Sequence, residues 1–90
     1  MCIDYEWDEA KNEANTAAGR PSFGAVEGFE WETAVITPSH RSGEVRWAAL
    51  GLVGNRLYHV VFTERGDKTR IISLRLASRS ERSRYVRNRT

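Results

Sequence analysis

Residues 3–7 alternate apolar and polar side chains, the pattern of a short half-buried strand. Asp8 then stands where an N-cap belongs, and residues 9–18 read as a helix that Gly19-Arg20-Pro21 ends. Ser22 is a second N-cap, for a short helix passing through Ala25, Val26 and Phe29. Residues 31–37 predict a strand stopped by Pro38, followed by a polar loop over 39–43. Three further strands follow at 45–53, 56–63 and 69–76. Gly54-Asn55 joins the first two as a hairpin, and residues 64–68 turn about Gly66-Asp67. A last helix runs over 79–87 behind Ser78-Arg-Ser-Glu81, a capping box in which the serine and the glutamate each satisfy a free backbone N–H. Strand, two helices, an antiparallel meander and a terminal helix make an α+β fold in a single domain, 1–90.

The alternation also sorts the strand residues by face. Tyr58, Val60 and Phe62 share one side, and His59, Val61, Thr63 and Arg65 share the other. In the next strand Ile72, Leu74 and Leu76 are assigned to the core, opposite Ile71, Ser73 and Arg75. Arg46 goes with the face of His59, Thr63, Ser73 and Arg75, expected to be the more open one. Taken alone, His59 reads as a strand histidine without a role and Arg75 as a surface arginine. Arg75, however, interrupts an apolar run and must meet solvent, an acid or a phosphate. Arg79 and Arg82 share a side of the last helix near its N-terminus, where each opposes the helix dipole by roughly 0.3–1 kcal/mol. An RNA phosphate or a partner's carboxylate would compensate. Lys11 poses the same question in the first turn of the first helix, with Glu6 or Glu13 as its ordinary partners and Asn15 one turn further on.

Composition narrows the class. With 40% hydrophobic and 29% charged residues the chain is globular, and no apolar run is long enough for a transmembrane helix. The acidic N-terminus lacks a signal-peptide pattern, which predicts a cytoplasmic protein. The single cysteine, Cys2, forms no internal disulfide, and with only His40 and His59 beside it no structural zinc cluster can be built; no metal or cofactor is expected. The net charge of +2 conceals a strong polarity: residues 1–34 carry eight acids and two bases, and residues 65–90 carry nine bases and two acids. An anionic partner at the C-terminal end follows, with arginine suited to phosphate through its planar fork; a solvated helix face is the plainer reading.

Taken in order, Glu6-Trp7-Asp8, Lys11, Asn15, Phe23, Glu44-x-Arg46, Gly51, Val60-Val61-x-Thr63-x-Arg65, Arg70-Ile-Ile-Ser, Arg75-x-Ala77 and Glu81-Arg82-x-x-Tyr85 resemble the BrnT family, the small toxins of type II toxin–antitoxin modules. No one of these motifs is specific; their order and spacing are, over nearly the whole chain. The resemblance implies a RelE-like twisted antiparallel sheet with two N-terminal helices and a C-terminal helix. It implies an endoribonuclease that stops translation, and neutralisation by a BrnA-like ribbon-helix-helix antitoxin through which alone the pair meets operator DNA. One departure stands out: where the family has a Lys-His-Gly cluster before the phenylalanine, this chain has Ala18, Gly19 and Arg20. Arg20 offers a substitute charge.

Metal-independent RNA cleavage needs a base for the ribose 2′-OH, cations for the pentacovalent phosphate and an acid for the leaving 5′-oxygen. Arg46, His59, Arg65 and Arg75 form the expected catalytic set, with His59 the one central group that titrates near neutrality. Lys11, Arg79, Arg82 and Tyr85 are the expected RNA-binding residues. Glu44, Glu64 and Tyr85 are further candidates for proton transfer. The alternatives are a catalytically weak or inactive RelE-like domain that only binds RNA or the antitoxin, and an interaction protein whose basic helix docks an acidic partner segment.

Overall fold

The computed structural model describes residues 3–41 and 43–89; of these, the side chains of 40, 41, 44 and 89 lie outside the description. The elements run β1 (Asp4–Trp7), α1 (Glu9–Ala17), β2 (Val35–Arg41), β3 (Glu44–Val53), β4 (Arg56–Arg65), β5 (Lys68–Leu76) and α2 (Arg79–Arg89). They form an α+β fold around one five-stranded sheet in the order β1-β5-β4-β3-β2. β2 to β5 are an antiparallel meander, but β1 pairs with β5 in parallel, so the sheet is mixed rather than purely antiparallel. The parallel pairing is possible because α1 and the turns after it carry the chain from β1 round to the meander.

Local chemistry explains most boundaries. The Asp8 carboxylate accepts from the N–H of Ala10 at 2.9 Å and of Lys11 at 3.4 Å, starting α1, and Gly19 at φ 83° takes the chain out of it. The second expected helix is a 3₁₀ helix, Phe23–Gly28, whose N-cap Ser22 accepts from the N–H of Gly24 at 3.2 Å. It stays short because it serves to bury Phe23 and Val26. The strand expected over 31–37 begins instead with a 3₁₀ turn, Trp31–Thr33, and continues past Pro38 to Arg41. Pro38 does not stop β2 because β2 is an edge strand, where a residue lacking an N–H costs no ladder bond on the outer side.

One face of the sheet closes over the apolar core: Phe23, Val26, Phe29, Ala49, Val60, Phe62, Ile71 and Leu74, with Trp7, Trp31 and Tyr58 packed against it. Phe29 lies on Gly51, where an added Cβ would meet the ring at 2.5 Å. Trp31 braces the same ring at a centroid distance of 4.5 Å, and its indole N–H donates to the Tyr5 hydroxyl at 2.6 Å. The assignment of Ile72 to the core is corrected here. The β4–β5 register slips between Val61 and Phe62, pairing Val61 with Ser73 and Phe62 with Ile71. Ile72 is the extra residue of this bulge, so Ile71 takes its place in the core and Ile72 turns outward. Leu74 keeps its expected place, while Leu76 lies at the rim and is 45% exposed.

Candidate functional site

The second face of the sheet gathers charge. β3, β4 and β5 bring Arg46, His59 and Arg75 into one cleft of about 330 Å³, completed by Ser39, Val61, Ile72 and Ser73. Leu50, His59 and Arg75 sit directly opposite one another across the three strands. The face is less open than the alternation suggests, because α2 crosses it: Leu50 is fully buried there, and the His59 side chain is only 13% exposed. Thr63 is buried too, its hydroxyl donating to the Val45 carbonyl at 2.9 Å.

Glu81 organises this face. The capping box forms as the sequence predicts: the Ser78 N–H donates to Glu81 Oε1 at 2.8 Å, and the Glu81 N–H donates to the Ser78 hydroxyl at 3.2 Å. The same carboxylate takes two parallel bonds from Arg75, Nη1 to Oε1 and Nη2 to Oε2, both at 2.8 Å. Its Oε2 also lies 3.7 Å from His59 Nε2. The acid that Arg75 requires is therefore in its own chain, six residues on.

These contacts set the protonation states. The Arg75 hydrogen bonds hold the Glu81 carboxyl down at about 2 against desolvation, helped by the Ser78 N–H and by His59. Arg75 is pushed up by the same pair. His59 is lowered from its usual 6.5, first by burial and then by the Arg75 charge; Glu81 opposes the shift and Arg84 adds to it. At neutral pH the imidazole is thus uncharged and able to take a proton. His59 Nδ1 is buried and has no hydrogen-bond partner among the described residues. Arg75 also donates through Nη1 to the Leu76 carbonyl at 3.3 Å, which commits three of its five N–H groups and leaves the others for a second acceptor.

The other expected site residues lie elsewhere. Arg65 is exposed at the far end of β4, opposite Lys68. Arg79 and Arg82 are exposed on the outer side of α2, and Arg82 lines a separate cleft with Arg56, Leu57 and Leu76. Tyr85 is half-buried, one turn beyond Glu81 on the side of the helix that meets the sheet. Glu64 accepts from the Thr69 hydroxyl at 3.3 Å, away from the cleft, and the side chain of Glu44 lies outside the described residues. Glu6 is engaged by Arg70 at 3.1 Å rather than by Lys11. Lys11 lines a neighbouring cleft with Ala14, Asn15, Ala18, Arg20, Phe23, Ile72 and Ser73. Arg84 is the cation that the sequence reading passed over. It stands three residues after Glu81, on the inner stripe of α2, and that spacing was the available signal. Among the described residues no three His, Cys, Asp or Glu side chains come together as a metal site.

Arginines grouped around a histidine of lowered pKa can stabilise the charge that develops on a phosphodiester. No curated protein matches the chain. The family model for BrnT, described as the ribonuclease toxin of a type II toxin–antitoxin system, matches residues 7–81. That span runs from Trp7, the last residue of β1, through α1 and β2 to β5 and on to the capping box with Glu81, and the chain belongs to the BrnT family of ribonuclease toxins of type II toxin–antitoxin systems.

Proposed function

We propose that the protein is a metal-independent endoribonuclease that inhibits translation in the cytoplasm by cutting RNA in the cleft of Arg46, His59 and Arg75. The observation that carries this reading is the cleft that His59, its side chain only 13% exposed, shares with Arg46 and Arg75. His59 takes the proton of a ribose 2′-OH, and the 2′-oxygen attacks the adjacent phosphorus. Arg46 and the uncommitted N–H groups of Arg75 stabilise the phosphorane. The P–O5′ bond breaks, the leaving oxygen receives a proton from water, and a 2′,3′-cyclic phosphate remains. Glu81 keeps Arg75 in place, and the sheet with its C-terminal helix serves as a RelE-like scaffold. Arg65, Arg79 and Arg82 lie outside this cleft and would meet more distant phosphates. A BrnA-like ribbon-helix-helix antitoxin neutralises the toxin and links the pair to operator DNA.

The test is cleavage of RNA by the purified chain in EDTA, together with growth after expression without an antitoxin. Arg46→Ala and His59→Ala should each lower the rate by about 10²–10³-fold. Because His59 must be uncharged, the rate should hold through neutral pH and fall only in acid, below the histidine's ordinary 6.5. RNA left intact by the wild-type chain, with normal growth, would remove the reading. Cleavage that EDTA abolishes would remove its metal-independent part.

A second reading has one observation in its favour: the position of the family's lysine is Ala18, whose methyl group lines the Lys11 cleft. A domain that only binds RNA would show salt-sensitive association, through counterion release, without any product.

A further inference from the structure

The two clefts on either side of β5 adjoin, with Ile72 and Ser73 in the lining of both. β1 stops pairing at Trp7–Ile71, so among the described residues no strand lies beside the rest of the β5 edge. α1 takes that place, fastened by the Asn15 amide, which donates to the Leu74 carbonyl at 3.1 Å and to the Pro21 carbonyl at 2.7 Å. Between α1 and β5 a cleft of about 280 Å³ remains, with Lys11 and Arg20 as its cations. Ala14 and Ala18 lie on the same stripe of α1 as Lys11 and leave room where longer side chains would fill the space. The bulge completes the arrangement. By turning Ile72 outward it makes Ile72 and Ser73 a wall shared by this cleft and the cleft of Arg46, His59 and Arg75.

We propose that the α1–β5 cleft is a second RNA subsite, which holds the phosphate next to the scissile one through Lys11 and Arg20. The subsite rests on the reading of the His59 cleft as the place of RNA cleavage and extends it to a track more than one nucleotide long. RNA fits such a track because it repeats its charge at every nucleotide, whereas a lone anion would need only one of the two clefts. Arg20 is on this account a binding residue, supplying charge at the rim where Ala18 and Gly19 supply none.

The experiment compares two uncleavable 2′-O-methyl probes, a dinucleotide and a hexanucleotide, by fluorescence anisotropy at low salt. In the wild-type chain the hexanucleotide should bind at least about tenfold more tightly, with a steeper salt dependence. In Lys11→Ala/Arg20→Ala that advantage should collapse towards one and the salt slope for the hexanucleotide should fall by about 1–2. Arg20→Lys in the otherwise native chain should retain most of it. Ala18→Leu, which fills the cleft without touching a charge, should also reduce it. If the hexanucleotide keeps its advantage in both Lys11→Ala/Arg20→Ala and Ala18→Leu, the second subsite is refuted while the cleavage site stands. If neither probe binds the wild-type chain, both fall together.

Discussion

The two faces of one sheet hold together by different physics. On the core face, Val60, Phe62, Ile71 and Leu74 meet Phe23, Val26 and Phe29, and stability comes from area removed from water and from close packing. On the α2 face a few apolar residues such as Leu50 are covered, and the helix is anchored by Glu81 through Ser78, Arg75 and, more loosely, His59. Alternate residues of the same strands serve both faces. The difference teaches that the α2 face is stabilised by a charge network that is also the proposed catalytic apparatus. Perturbing that face should therefore change stability and pH response together, whereas perturbing the core face should change stability at every pH.

Breaking the core face should have the largest effect. Phe23 is 2% exposed and meets Trp7 edge-on at 6.4 Å, so Phe23→Ala should cost about 3–5 kcal/mol. Chemical denaturation should show the loss equally at pH 7 and pH 5. Overfilling should come next. A methyl on Gly51 would press into Phe29, which Trp31 prevents from retreating, and Gly51→Ala should cost about 1–3 kcal/mol in the same assay. A Gly51→Ala protein as stable as wild type would show that this face is looser than its packing implies.

Glu81 provides the contrast. Its carboxyl is held well below the unfolded value of 4.5, so the stability it contributes is complete above pH 4.5 and is lost as the pH falls towards about 2. Allowing for the screening of the partly exposed Arg75, the contribution at neutral pH is about 2 kcal/mol. Glu81→Gln should remove that amount at pH 7 and flatten the acid side of the stability profile below 4.5. Equal losses at pH 7 and pH 2 would mean that packing, not charge, fastens α2.

How much of this was legible in the sequence follows the same division. Caps, glycine turns and alternation depend on neighbours in the chain, and they located β1, α1, the hairpins and the capping box of α2. They also placed Arg46 and His59 on the same face. What the chain order concealed depends on partners far away. A bulge is a mismatch between two strands, so the run Ile71-Ile72 cannot reveal which isoleucine is buried. The passage of β2 through Pro38 depends on its being at the sheet edge. The inner stripe of α2 is visible only once Glu81 is known to meet Arg75; until then Arg79 and Arg82 seem as well placed as Arg84.

Arg84 gives the smallest prediction and the sharpest one. On a half-exposed helix its loss should alter stability by less than about 0.5 kcal/mol. Its charge nevertheless disfavours protonation of His59, while the charge of Glu81 favours it. Arg84→Gln should therefore raise the His59 pKa towards its ordinary 6.5, and Glu81→Gln should lower it further. An NMR titration of the His59 ring, in a His40→Gln background to leave one histidine signal, separates the two shifts by sign. The acid limb of RNA cleavage should move with the ring, upward in pH for Arg84→Gln and downward for Glu81→Gln. Shifts of the same sign in the two variants would mean that His59 responds to burial alone. The network around Glu81 would then be a fastening for α2 and not a setting for the base.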